Sequence, residues 1–251
     1  MRLKSLSLGL SLLMWSGLAA YGQTAAAKPA AEQATDPVPR WPDGRVNLGS
    51  SPDHKGYWEI QHGLVGGYAS IGEFFRVVDV PFQPWAKALF QYRQATKQNS
   101  PLVDCVPATG PSFLTAPGFE IVDVPELNSI FILAMGGPHS WRVIYMDGRP
   151  HPEGDDLKPT FLGHSIGRWE GDTLVVDSVG FNEKQWPVGT FPTTGQLHLI
   201  ERFSRPNLKT LNYEVTIDDP GGLYETLVQS VDDHRRNSLP VEYRRDVRIH
   251  L

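Results

Sequence analysis

The chain has 251 residues, 28 of them acidic and 23 basic, for a formal charge of −5. No basic block occurs along it, which argues against a nucleic-acid partner, because phosphate binding needs clustered Lys and Arg. Its length and its 40% hydrophobic content allow one well-packed domain.

Arg2 and Lys4 precede an apolar run from Leu6 to Ala20, and Ala20-Tyr21-Gly22 offers small side chains where a signal peptidase reads them. Residues 1–22 are therefore expected to be a secretory signal, because about 15 apolar residues fall short of the roughly 20 that a spanning helix needs. No later run is long and apolar enough to cross a bilayer. A periplasmic or secreted protein without a transmembrane segment after signal removal is expected. Residues 23–40, rich in Ala, Pro, Thr and Gln, read as a flexible linker. Residues 41–251 are expected to form a single β-rich domain.

Pro84 opens a predicted helix that reaches Gln98. Trp85, Ala88, Leu89 and Tyr92 form an apolar stripe at i, i+3, i+4 and i+7. Pro suits the first turn, where its missing N–H costs nothing. Cys105 is the only cysteine, so no internal disulfide can form. Its sole charged neighbour is Asp104, which disfavours a thiolate, so a buried or idle thiol is expected.

From Phe119 the pattern changes to short strands separated by turns. They read FEIVDV, SIFILAMGG, SWRVIYM, SIGRW, TLVVDSV, QLHLIERF, TLNYEVTI, YETLVQSV and PVEYRRDVRIHL. No helix intervenes, so an antiparallel meander is predicted and a parallel α/β architecture is excluded. In TLNYEVTID, Leu211, Tyr213, Val215 and Ile217 share one side, as in a strand with one wet face. SIFILAM is apolar on both sides, so both of its faces call for cover. The predicted fold is all-β with one N-terminal-side helix, as a lipocalin-like barrel or a strongly curved sheet. A β-sandwich is the alternative, since the same pattern serves two sheets. Glu170-Gly171 is the expected tip of a hairpin pairing GRW with TLV, with Gly171 supplying a positive φ.

The segment LGHSIGRWEGDTLVVDSVGFN resembles the signature of a large family of exported bacterial proteins of unknown function. MDGRPHP precedes it, and LHLIERF and VTIDDP follow. WPDGRVNLG, VPFQPWAKALFQYRQ and CVPATGP fit the same pattern, so the resemblance covers nearly the whole mature chain. It implies export and is silent on activity. After Pro220 the chain departs from the family pattern, which carries a further cysteine there.

Several polar residues stand out on the predicted strands. Glu201 interrupts the apolar face of Leu197, Leu199 and Phe203, and an inward carboxylate needs a partner. Arg142, on the less apolar side of its strand with Ile144 and Met146, is the expected partner. An ion pair inside or at the mouth of the barrel would be structural or would orient a ligand. His139, Arg142, Trp169 and Glu201 are the candidate ligand contacts. His164 and Asp177 are the candidate acid–base residues if there is catalysis, with His139 and Glu201 as the other choices for these roles. Ser165 cannot act with His164 as a dyad, because adjacent strand residues face opposite ways. Asp218-Asp219, before Pro220, read as turn acids. Eight histidines are scattered without HExxH or H-x-H spacing, so no metal or cofactor is expected. A site from His139, His151 and His164 would have to be assembled by the fold. The expected function is binding of a small apolar or amphiphilic molecule in a barrel pocket. The alternative is a hydrolase, lyase or isomerase acting on a small organic substrate through a His/carboxylate pair.

Overall fold

The structure is a computed structural model that describes residues 37–53, 55–60, 80–97, 105–114, 118–135, 140–184, 186, 191–230 and 241–245. For residues 59, 60, 227–230 and 241–245 only the backbone is described. The expected signal, most of the linker and His139 lie outside these residues, as do His54, His62, His234 and His250.

The strands are β1 (Gly56–Ile60), β2 (Phe119–Val124), β3 (Ser129–Ala134), β4 (Trp141–Tyr145), β5 (His164–Glu170), β6 (Thr173–Val179), β7 (His198–Asn207), β8 (Thr210–Asp218), β9 (Leu227–Ser230) and β10 (Val241–Arg245). They form one continuous sheet in the order β10-β1-β2-β3-β4-β5-β6-β7-β8-β9. The sheet curls into a half-barrel, and β10 also pairs with β8 at Val241↔Leu211 and Glu242↔Thr210. One strongly curved sheet, rather than two facing sheets, is the architecture.

Every predicted strand from Phe119 onward has its counterpart, while β1 was not read as a strand. β4 and β5 break the meander: they pair in parallel, Ile144 with Ser165 and Tyr145 with Ile166. A parallel step needs a long crossover. Residues 146–163 supply it without an α-helix, through a short 3-10 turn at Gly154–Asp156 and a bridge from Thr160 to Phe181. β7 also continues beyond its expected end, through Pro206, with a register irregularity between Ser204 and Asn207. Such an irregularity tolerates the missing Pro donor.

The alternation of strand side chains sets the core. Leu211, Tyr213, Val215 and Ile217 of β8 are all buried, as the wet-face pattern predicts. β3 differs from expectation. Ile130 and Ile132 are buried, whereas Leu133 is 37% exposed, so only one face is fully covered.

The helix α1 spans Pro84–Ala95 with Pro at its start. Its buried residues are Ala86 and Phe90, while Trp85 and Tyr92 are 44% and 57% exposed. The predicted stripe therefore lies largely on the solvent side. Phe90 forms an aromatic cluster with Phe82 and Phe191, with ring centroids 5.0–5.4 Å apart. The indole of Trp85 is held at the surface by donating to Gly221 O at 2.8 Å. That bond compensates the polar end of an otherwise apolar ring.

Contacts with the sheet begin ahead of residue 41. Val38 packs on the core, and Arg40 pairs with Asp172. Residues 46–49 then lie along the sheet, where Arg205 donates to Asn47 O and Gly49 O at 2.7 and 2.8 Å. Cys105 is exposed, with φ of 59°, rather than buried.

Gly171 has φ of 61°, and the hairpin pairs Glu170 with Thr173. The two loop residues are thus Gly171 and Asp172, one position beyond the expected tip. Open space surrounds the position of a Cβ at Gly171, so a substitution there meets only the backbone penalty. Gly171→Val should lower stability by about 1–2 kcal/mol, read as a shift in the chemical denaturation midpoint. An unchanged midpoint would remove the requirement for a left-handed residue.

Candidate functional site

The sheet carries polar side chains on both of its faces, and strand alternation keeps the two sets apart. On the inner face, five consecutive strands each contribute one residue to a buried network: Arg142 from β4, Ser165 from β5, Ser178 from β6, Glu201 from β7 and Tyr213 from β8. Arg142 Nε donates to Ser165 Oγ at 3.0 Å, and its Nη2 donates to Ser178 Oγ at 2.7 Å and to Glu201 Oε2. Tyr213 completes the set, its hydroxyl donating to Glu201 Oε1 at 2.9 Å. Arg142 and Glu201 are 2% and 0% exposed. Burial, followed by the Glu201 charge, pushes the Tyr213 phenol well above its usual value. The hydroxyl therefore stays protonated and can donate.

On the outer face, His164 begins β5, Asp177 lies on β6 and His198 begins β7. The crossover brings His151 over them. His198 Nε2 lies 2.7 Å from Asp177 Oδ1, and His151 Nε2 lies 3.2 Å from the same oxygen. His151 Nδ1 is 2.9 Å from His164 Nδ1. His151, His198 and Asp177 are only partly buried, so the cluster is open to solvent.

These contacts constrain the protons. The imidazole of His198 beside Asp177, and then that of His151, hold the carboxyl below its usual range. As a carboxylate Asp177 only accepts, so both Nε2 atoms must carry hydrogen. With His151 neutral, its Nδ1 is then an acceptor, and His164 Nδ1–H must be the donor. A neutral His164 is left with an unprotonated Nε2, and no described residue hydrogen-bonds to that atom. Burial, reinforced by His151 and Arg149, lowers the His164 pKa. The hydrogen bond to Asp177 raises that of His198. The two rings therefore favour opposite charge states.

No family model, curated protein or solved structure matches the chain.

The site therefore rests on geometry. Of the residues singled out in the sequence, Arg142 and Glu201 meet inside the sheet, and His164 and Asp177 lie near one another outside it. Trp169 is elsewhere. It lines a cleft with Trp41, Val46, Leu48, Ile121 and Ile130 that has room for roughly one water molecule. Its indole Nε1 is buried there with no hydrogen-bond partner. The described candidate residues are thus divided between the two faces of the sheet. Ser165 is buried against Arg142, on the face opposite His164, as strand alternation requires.

His198 carried no assigned role in the sequence, although a signal was present. It is one residue from buried Leu199, so it shares the outer face with Asp177 once β6 and β7 pair. His151 had no comparable signal, because only the crossover path brings it to Asp177. Among the described residues no group of three or more His, Cys, Asp or Glu side chains could hold a metal ion. No described helix is long and apolar enough to cross a membrane.

Proposed function

We propose that the outer-face cluster is an acid–base active site for a small organic substrate, in a protein that works outside the cytoplasm as its leader suggests. The reaction is of the hydrolase, lyase or isomerase type. The observation that carries this reading is the hydrogen-bonded chain from His164 through His151 to Asp177, with His198 on the same carboxylate. In this scheme His164 Nε2 removes a proton from the substrate or from an attacking water. His151 and Asp177 hold the His164 ring in the tautomer that leaves Nε2 free and stabilise the charge it gains. His198 returns a proton to the leaving or product oxygen. Two titrating groups pushed apart by their surroundings are a standard basis for acid and base roles, and such catalysis contributes about 10²- to 10⁴-fold in rate.

The curled sheet also suits a lipocalin-like carrier of an apolar molecule. That function needs a ligand-sized space, which the Trp169 cleft, with room for about one water, does not supply. It is the second reading, because the outer-face hydrogen bonds are the more specific observation.

Titration of the imidazole resonances by NMR tests the proposal without a known substrate. His164 should titrate below the ordinary value of 6.5 and His198 above it. In Asp177→Asn the His198 midpoint should fall back toward 6.5, because its main stabilising partner is then neutral. The stability signs follow. His198 contributes stability that is full below 6.5 and is lost as pH rises through its higher folded value. His164 costs stability as pH falls from 6.5 through its lower folded value. Two histidines that titrate together, unaffected by Asp177→Asn, would overturn the assignment.

A further inference from the structure

The outer site has a second chemical feature beside its base. Tyr145 ends β4, and its ring stacks on His164, with centroids 5.2 Å apart and planes 28° apart. The Arg149 guanidinium carbon lies 4.0 Å from the centroid of the same Tyr145 ring. Arg149 is fixed from its other side. Its Nε lies 2.9 and 3.0 Å from the two Asp147 carboxylate oxygens, and its Nη2 lies 2.5 Å from Oδ2. The Arg149 backbone N–H also donates to Asp147 Oδ1, at 3.2 Å.

This arrangement uses one edge of a planar group that has two. Asp147 takes the side-on fork formed by Nε and Nη2. The end-on fork, Nη1 with the second N–H of Nη2, has no hydrogen-bond partner among the described residues, and the side chain is 45% exposed. A guanidinium fork matches the two oxygens of a carboxylate. Because Asp147 and Tyr145 already hold it, little side-chain entropy remains to be lost on binding. Asp147 offsets the Arg149 charge, and protonated His198 offsets Asp177, with Asp218 also near His198.

From this geometry we infer that Arg149 is a specificity-determining residue that docks the carboxylate of a small organic acid beside the stacked Tyr145 and His164 rings. The inference rests on the acid–base reading of His164 and adds the substrate class.

Benzoate is a suitable probe, with benzamide as its uncharged analogue and inorganic phosphate as a competing oxyanion. Benzoate should shift the His164 imidazole resonance saturably. Benzamide should bind at least about tenfold more weakly, since it lacks the charge that strengthens a bidentate contact. Arg149→Gln should lose benzoate binding by a similar factor. Arg149→Lys should recover only part of it, because an ammonium keeps the charge and lacks the fork. Equal binding of benzoate and benzamide, or unaltered benzoate binding in Arg149→Gln, would overturn the assignment. So would phosphate binding more tightly than benzoate at this residue. The titration midpoints of His164 and His198 in the absence of probe report on the acid–base reading separately, so failure of one is distinguishable from failure of the other.

Discussion

Arg142→Met should destabilise the protein by about 3–5 kcal/mol, the cost of leaving a buried charge unpaired. Glu201 is 0% exposed, and its other hydrogen-bond donor in the network is the Tyr213 hydroxyl. Without the guanidinium, the carboxylate would keep one neutral donor in a place that water does not reach. Ser165 and Ser178 would retain only each other, at 2.9 Å. For a domain of this size the loss corresponds to roughly 6–20 °C in Tm. The second substitution makes the test decisive. In Arg142→Met/Glu201→Leu the buried charge is gone, and apolar replacement of a buried pair is often neutral or stabilising. The double variant should therefore be no less stable than Arg142→Met alone, even though Tyr213 loses its acceptor. Thermal unfolding of these two variants and of Glu201→Leu alone at neutral pH measures this. A double variant that falls by the sum of the two single losses would mean that the residues are not coupled.

That pair also marks how far the sequence could be read. Glu201 breaks an apolar alternation, which both places its side chain inward and demands a cation. Arg142 was expected on the less apolar side of its strand, yet that side is the buried one, so its pairing with Glu201 was legible only from the carboxylate's need for a cation. Alternation along a strand is a local property, so it survives without knowledge of the fold. The same holds for the wet face of β8 and for the positive φ of Gly171. The parallel step between β4 and β5 was not legible, because the crossover at 146–163 contains no α-helix to announce it. The buried face of α1 was misplaced for a related reason. Trp85 and Tyr92 are apolar by composition, but Trp85 carries a polar atom that meets a backbone carbonyl at the surface. The small Ala86 and the ring of Phe90 instead fit against Phe82 and Phe191.

The candidate site was legible in part, and for a physical reason. His164 and Asp177 could be named from their strands, but their relation depends on a segment that crosses over the sheet. His151 sits on that segment and bridges them. Strand alternation divides the charged residues by role. Those that point inward bond mainly to one another, and the atom left over, Arg142 Nη1, is buried away from solvent. Those that point outward leave His164 Nε2 and one edge of Arg149 without described partners. Groups with unused hydrogen-bonding capacity in contact with solvent are the ones able to meet a substrate, which favours the outer face as the chemical one.

Gly49→Ala should cost about 3 kcal/mol or more, at the upper end of what overpacking produces. A Cβ at Gly49 would lie 1.8 Å from the carbonyl oxygen of Ile121 and 3.0 Å from its carbon. That oxygen belongs to β2, where Ile121 pairs with Ile132, so it cannot swing away as the end of a flexible side chain could. Gly49 is not at positive φ, so its role is to make space rather than to allow a turn. Relieving the clash would lift residues 46–49 from the sheet. Arg205 would then lose its acceptors at Asn47 O and Gly49 O, and the Trp58 indole would lose Leu48 O at 2.6 Å. Gly44→Ala is the control. It has φ of 88° with nothing within 4 Å of the added carbon, so it carries only a backbone penalty of about 1–2 kcal/mol. Denaturant midpoints for both variants, with tryptophan emission reporting on Trp41, Trp58 and Trp169, separate the two costs. If Gly49→Ala is no more destabilising than Gly44→Ala, the segment does not lie against β2 in the way that its contacts require.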